Sequence, residues 1–358
     1  MDPRSTKKNS EGSDSSMNQF LQSSKEEQKL VFENTSDRLG VSSGIVEKDF
    51  WVCYILDYLF NHFGYKDSIY FKGGTSLSKV YQLIERFSED IDLALDWQVL
   101  GYDEDEPYLE RSKRQQELFN KQVNQDTAAL INEIWIPQMK IDLERRLGDG
   151  FKIEIDAHDD QTINFRYPQL FEENSILQEI RIEVGALAEP IPSEFNTVTS
   201  YVSQQFPTIF NNSNIGLKSV TPLRTFFEKL LILHREAHRS NANYPNRYSR
   251  HYYDVYQMLK TKLRNESLRN IELLRDVVEF KKKFYPSNWA KYDNFYEGNL
   301  QLIPNEEAIK IFTQDYYQMQ GMIFGETPTF EIIIDTLVQY NSELNGILKR
   351  FDNENFNV

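Results

Sequence analysis

The 358-residue chain carries 40 Lys and Arg against 55 Asp and Glu, a formal net charge of −15, with 40% hydrophobic and 13% aromatic residues. That content supports a sizeable core and excludes a largely disordered chain, while the acidic balance excludes a broad polyanion-binding surface. A single cysteine, Cys53, excludes an intrachain disulfide and fits a reducing cytoplasm; the most apolar run, residues 50–60, carries Asp57 and is too short to span a bilayer.

Residues 1–22 are polar and serine-rich and read as a disordered tail without the apolar core of a signal peptide. Helical spacing covers 24–39 and 45–63, with a turn between Gly40 and Gly44. A short strand at 68–72 runs into Gly73-Gly74. Leu77, Val80, Tyr81, Ile84 and Phe87 then recur at helical spacing over 76–87, after which Ile91, Leu93 and Leu95 switch to period two, the mark of a strand with one buried face. Residues 102–110 form an acidic loop. A polar helical region follows over 111–147, interrupted by Pro137 and stopped by Gly148 and Gly150. Strand patterns return at 151–157 and 162–167, which pair as a hairpin, and at 179–187. Past Pro190 and Pro192 comes a loop rich in Asn and Ser, and the remainder reads as helical, with Thr221-Pro222 and Thr327-Pro328 as cap-plus-proline helix starts. The expected architecture is α+β: a mixed α/β domain with a small mixed sheet over 23–215, then a helical domain over 216–358. There is no internal repeat.

Two short stretches carry chemistry. A strand that ends in Gly73-Gly74 and leads into a helix lets the backbone turn sharply and approach a ligand, and the free N–H groups at that helix start suit an anion. Thr75 and Ser76 add hydroxyl donors, and Lys79 follows one turn later as a further nucleotide-binding residue. Asp90 and Asp92, at i and i+2 of a strand, project to one side, roughly 7 Å apart along it, opposite Ile91, Leu93 and Leu95. Neighbouring carboxylates repel, so a cation is their natural partner, and oxygen-only ligation suits Mg²⁺ together with substrate phosphates.

The string "FKGGTSLSK…RFSEDIDLAL", with Gly73-Gly74-Thr75-Ser76 ahead of Asp90-Ile91-Asp92, resembles nucleotidyltransferases of the DNA polymerase β-like superfamily, and specifically the AbiEii/AbiGii toxin family of type IV toxin–antitoxin and abortive-infection systems. "VEKDFWV" (46–52), "TFFEKLLILHREA" (225–237), "RYSRHYYDVYQML" (247–259) and the segment 315–333 are similar to the same family, so the resemblance spans about residues 45–340. It implies a polymerase β-like domain that transfers NMP from an NTP with Mg²⁺ (or Mn²⁺) on Asp90 and Asp92, a tRNA 3′ end as acceptor and a cognate antitoxin encoded alongside. It also implies a third carboxylate on a neighbouring strand: Glu183, with Asp156 as the competing candidate. Lys229 would neutralise nucleotide phosphate, its long stem carrying charge from an apolar margin into a cleft. Arg250 would contact phosphate and Asp254 orient a basic residue or the nucleotide, although their i,i+4 spacing alone would suit a surface ion pair. Arg224, Glu228 and Arg235 read as a solvated ion-pair surface. The stretch from Arg224 to His251 holds six Lys or Arg against two Glu, a basic face to which RNA contact would be confined. Two other readings stand beside this one: nucleotidylylation of a protein side chain, and an NTP-binding regulatory protein without transfer activity.

Overall fold

The computed structural model describes residues 16–173, 177–211, 213–241 and 243–355. Its helices are α1 (Ser16–Leu21), α2 (Lys25–Leu39), α3 (Ser43–Asp57), α4 (Gly73–Lys79), α5 (Lys113–Leu130), α6 (Ile136–Leu147), α7 (Tyr201–Gln205), α8 (Pro222–Ala237), α9 (Arg250–Leu259), α10 (Leu263–Arg269), α11 (Ile271–Phe284), α12 (Glu306–Met319) and α13 (Phe330–Asn355). The strands are β1 (Ile69–Lys72), β2 (Ile91–Leu95), β3 (Lys152–Ile155), β4 (Thr162–Arg166), β5 (Ile180–Gly185), β6 (Ser193–Val198) and β7 (Ile215–Val220), in the spatial order β3-β4-β5-β2-β1-β7-β6. Pairing is antiparallel except for β2 with β5 and β1 with β7, so the sheet is mixed.

Local chemistry accounts for the helix ends. Ser24 with Glu27, and Ser112 with Gln115, form reciprocal capping boxes, and Gly40 closes α2 at φ +67°. Thr221-Pro222 opens α8 as its sequence suggests, but α13 starts two residues past Pro328, with Thr329 Oγ1 accepting the Ile332 N–H at 3.3 Å. Pro137 does not break its helix. It sits in the first turn of α6, which follows α5 through a single wide turn at 131–135.

Four departures from the sequence reading matter. Ser16–Leu21, inside the stretch read as tail, is helical and buries Met17 and Phe20, while residues 1–15 lie outside the described part. The helix read over 76–87 ends at Lys79. Gln82 takes φ +52°, and the chain to Asp90 is irregular, stitched to the C-terminal part by Phe87 N–H donating to Met322 O and Phe324 N–H to Glu85 O, each at 2.8 Å. β6 occupies ground read as loop, and β7 runs past 215 into the part read as a helical domain; β6 is an edge strand with largely exposed residues, so it lacks the alternating apolar signature. Finally, the core falls in two clusters that interleave. One lies on the sheet, built from Phe50, Trp51, Tyr54, Ile91, Leu93 and Ile182, and takes in Phe280 and Phe284 of α11. The other lies among the helices, around Phe226, Leu230, Tyr252 and Leu337, and takes in Leu77 of α4 and Ile84. No helix among the described residues is long and apolar enough to cross a membrane.

Phe20 is 5% exposed and meets Phe32, Phe50 and Phe210 edge-on at 5.0–5.6 Å between centroids. Phe20→Ala is therefore expected to lower unfolding free energy by about 3 kcal/mol or more, whereas Leu30→Ala, at a position 59% exposed, changes it by less than about 0.5 kcal/mol. Urea midpoints of the two variants check the contrast.

Candidate active site

The site grows from the sheet register. Lys72 is the partner of Asp92 across β1 and β2, Asp92 of Glu183 across β2 and β5, and Glu183 of Thr162 across β5 and β4. Cross-strand partners point to the same face, so Lys72, Asp92, Glu183 and Thr162 form one polar row. The alternate residues Phe71, Leu93, Ile182 and Ile163 are buried on the other face. Asp90 immediately precedes β2 and is half-buried. Lys72, Asp92, Glu183 and Thr162 share the wall of a hollow of about 240 Å³, and Asp90 lines a narrow cleft with Arg86, Arg247 and Arg250.

The glycine turn is required by close packing. Gly73 has φ +79°, and a Cβ there would overlap the Asp92 carboxylate; a Cβ on Gly74 would come within 2.8 Å of Ser88 Oγ and 3.0 Å of Arg86 Nη2. The Asp-bearing segment thus lies against the start of α4, where Thr75 donates to Ser88 Oγ at 2.9 Å and the Ser76 hydroxyl is buried without a partner. Gly73, Gly74 and Thr75 abut the carboxylates' segment, while Thr75 and Ser76, 0% and 2% exposed, are buried rather than open to a ligand. Lys79 does not join them: its ammonium is ion-paired with the buried Asp49 and packs over the Tyr201 ring at 4.2 Å, so its charge is engaged within the core.

Burial raises all three carboxylates. Asp90 is pushed up to about 6 by burial, then by Asp92 and Glu89, against the pull of Arg250 and Lys48. Asp92 is raised by burial despite Lys72, Arg250 and Lys229. Glu183 is pushed up to about 7 by burial, then by Asp92 and Asp90, an effect that solvent moderates because 43% of its side chain stays exposed. Asp156 behaves differently. It accepts from Asn164 at 2.9 Å and pairs with Arg181 at 3.2 Å, which keeps it low, and Glu183 rather than Asp156 stands beside Asp92. Among the described residues no three His, Cys, Asp or Glu side chains are gathered as a complete metal cage. The donor set nevertheless fits a hard divalent cation: oxygen-only, mutually repelling, and open to ligands from water and substrate phosphate.

Facing the carboxylates is a buried charge network whose extent the sequence did not reveal. Asp254 does not pair with Arg250. It receives Arg86 in fork geometry, Nε to Oδ1 at 2.7 Å and Nη2 to Oδ2 at 2.8 Å, and Lys229 at 2.9 Å. Burial would raise the Asp254 carboxyl, but Arg86 and Lys229 outweigh it and hold the group well below the usual range. Lys229 is itself buried, its side chain 8% exposed, and acts on Asp92 from within the wall. Arg250, one turn before Asp254, makes no ion pair among the described residues, and its charge bears on both aspartates.

Other charges read as solvated turn inward. Arg224 is 3% exposed, and Glu228 accepts Lys72 at 3.2 Å and lies 3.4 Å from Arg224; burial would raise Glu228, but Lys72, Lys281 and Arg224 bring it down to about 2. Arg235 and Arg239 both pair with Glu236, and Arg247 with Glu89. Arg224, Lys229 and Arg239 of the stretch 224–251 are thus paired within the fold, whereas Arg235 and Arg247 pair with acids yet keep 36% and 45% of their side chains exposed. Lys48 of α3 holds the other Glu89 oxygen at 2.5 Å, which fixes the residue next to Asp90. Lys72, Arg86 and Glu89 are the site neighbours that sequence reasoning missed. The available signal was the position of Arg86 and Glu89 in the "RFSEDID" run, directly ahead of the aspartates.

A family model described as nucleotidyl transferase AbiEii toxin, type IV TA system, matches residues 54–340. Among solved structures, the chain is similar to MenT4, a nucleotidyltransferase toxin from Mycobacterium tuberculosis H37Rv, at 16% identity and a TM-score of 0.41, over 88% of this chain and 97% of that one. No curated protein matches the chain.

Gly73→Ala is expected to cost at least the 1–2 kcal/mol, roughly, of left-handed backbone and to displace Asp92; thermal denaturation reads the first effect. Arg86→Gln leaves Asp254 buried with one partner fewer and should destabilise by about 3–5 kcal/mol. Adding Asp254→Asn to it should cost less than the sum of the single changes, because the two share one interaction. Strict additivity in that double-mutant cycle would contradict the network.

Proposed function

Because the chain belongs to the AbiEii nucleotidyltransferase toxin family of type IV toxin–antitoxin systems, we propose that it joins the NMP of an NTP to the 3′-terminal hydroxyl of an RNA, with tRNA as the acceptor class, at a centre formed by Asp90, Asp92 and Glu183. The observation that carries this reading is the register of Asp92 with Glu183 beside Asp90, with Arg250, which makes no ion pair among the described residues, sharing the Asp90 cleft. In the transfer, the acceptor oxygen bonds to the α-phosphorus, the bond from that phosphorus to the β-bridging oxygen breaks, and pyrophosphate leaves with the electron pair. The acceptor proton passes to Glu183, whose partly exposed carboxylate can return it to solvent.

A divalent cation, Mg²⁺ or Mn²⁺, held by Asp90 and Asp92 with Glu183 beside them, supplies charge neutralisation at the reacting phosphate. The chain's own residues do the rest. The Gly73-Gly74 turn brings backbone close to Asp92 and Ser88, and Thr75 and Ser76, both buried, support that turn from inside the wall. Arg250 neutralises phosphate charge from the helical side, and Lys229, locked by Asp254, adds a fixed positive field behind Asp92. Glu89, held by Lys48 and Arg247, orients the start of β2. The family sets an antitoxin beside such a toxin, and the cytoplasm is where both substrates of this reaction are at hand.

The test is a labelling assay with each of the four α-labelled NTPs on total RNA and, separately, on protein extract. Label is expected at RNA 3′ ends with the native chain and at least about a hundredfold less with Asp90→Asn plus Asp92→Asn, the scale on which a preorganised electrostatic group acts. Label confined to protein would overturn the RNA acceptor, and transfer that survives the double change would overturn the centre. EDTA should abolish transfer and excess Mg²⁺ or Mn²⁺ restore it; activity indifferent to chelation removes the cation from the reading.

A further inference from the structure

A nucleotidyl transfer needs room for two substrates at the carboxylates, and the structure offers space unequally on their two sides. On the Asp90 side the cleft with Arg250 adjoins a cavity of about 340 Å³ that shares Arg247 and Met322 with it. On the Glu183 side the hollow holds about 240 Å³, below the ~300–1,000 Å³ typical of small-molecule sites. A nucleotide presenting a hydroxyl to Glu183 is larger than this open hollow and would extend out of it. A cavity of about 850 Å³ lies across the Lys72–Glu228–Arg224 chain from it.

The two spaces share a partition. Ala188 lines the small hollow and Glu189 the large cavity, and the Leu187 carbonyl between the strand end and that point is held by Tyr285 Oη at 2.7 Å. Lys72 in the small hollow pairs with Glu228, which in turn lies 3.4 Å from Arg224 in the wall of the large one. The far wall is built rather than loose: Lys283 Nζ donates to the carbonyls of Tyr108 and Leu109 at 2.8 and 3.0 Å, and Tyr108 donates to Glu189, tying the 106–109 loop to α11.

The lining chemistry selects among occupants. Phe280, Phe284 and Pro286 give an apolar wall, the two rings tilted 42° to each other and only their edges reaching out of the sheet-side core. Arg224, 3% exposed, donates Nη1 to the Ile191 carbonyl at 2.9 Å, holds Nε 3.4 Å from Glu228 and lies over the Phe280 ring, which leaves Nη2 without a partner among the described residues. A buried guanidinium with a donor left over beside an aromatic ring suits a ligand that brings an acceptor and a π-face. A nucleotide has both, in its phosphate, base carbonyls and ring, whereas a peptide backbone brings as many donors as acceptors. Lys113 and Lys282 also line the cavity, where a phosphodiester would continue; Lys282 is paired with Glu279 and Asp293, and the five Lys or Arg of the lining stand among five Asp or Glu, so a bound phosphate would compete with acids for them.

We propose that this cavity seats the terminal nucleotide of the acceptor strand, its base against Phe280 and Phe284 and its acceptor atoms toward Arg224, leaving the 3′ hydroxyl at Glu183. The assignment rests on the RNA-acceptor reading of the active site, and its test is kept separate from turnover. The full chain, without NTP, is titrated against a fluorescein-labelled single-stranded hexaribonucleotide with a free 3′ end, and in parallel against Mg-NTP. Lys113→Glu with Lys282→Glu, in the cavity lining and away from the carboxylates, should weaken hexanucleotide binding at least tenfold and leave NTP affinity within twofold of the native chain; Arg224→Gln should weaken it in the same direction. Hexanucleotide affinity unchanged in the double-lysine variant, no hexanucleotide binding by the native chain, or equal loss for RNA and NTP would each overturn the assignment. Binding that depends on these lysines in a chain that labels no acceptor would sustain the cavity and sink the transfer reading instead.

Discussion

A single buried carboxylate, Asp254, organises the cleft. It lies at 0% exposure and is tolerable there because Arg86 grips both its oxygens and Lys229 adds a second positive charge. Those three residues come from three places: the irregular connection leading to Asp90, α8, and α9. Binding them at one point ties the helical layer to the segment that carries the aspartates. It also frees Arg250 from the i,i+4 pairing that its spacing invites, and leaves that guanidinium without an ion pair among the described residues, its charge bearing on Asp90 and Asp92. Without the Asp254 junction, Arg250 would have a nearer partner on its own helix.

The carboxylates are arranged on the same logic, by using the fold to hold like charges together. Sheet register places Glu183 opposite Asp92, and the absence of a Cβ at Gly73 lets the Asp92 carboxylate lie against the turn. Each is costly alone, as the upward shifts of Asp90 and Glu183 express. Lys72, Lys229 and Arg250 partly offset that cost for Asp92. Such an arrangement is favourable only when positive charge arrives with the substrate, which is the condition under which a polyphosphate and its cation bind together.

Much of this was legible from residues 71–95, because glycine at a close approach and alternating acids on a strand each have few physical causes. The strand pattern placed Glu179, Arg181 and Glu183 together opposite Ile180, Ile182 and Val184; it was the family resemblance that singled out Glu183 among them, with Asp156 left as the alternative. What failed did so where tertiary contacts overrode local pattern. The periodicity of Leu77, Val80, Ile84 and Phe87 suggested one helix, yet Leu77 and Ile84 reach the helical core from a broken chain, with Gln82 at positive φ between them. Lys79 and the cations of 224–251 looked available because sequence shows a charge but not the acid it meets across the fold, such as Asp49, Glu228 or Glu236. β6 was invisible because an exposed edge strand need not alternate.

The interleaving of the two cores bears on when, during synthesis, the cleft is completed. Leu77 and Ile84 wait for the helices that bury them, Phe280 and Phe284 complete the sheet side, and residues 322–324 close over Glu85 and Phe87. On the ribosome these late segments emerge well after the aspartates have been synthesised. A growing polypeptide therefore holds no finished cleft until most of the chain has emerged, because the walls that close around the carboxylates are supplied from both ends of the described sequence.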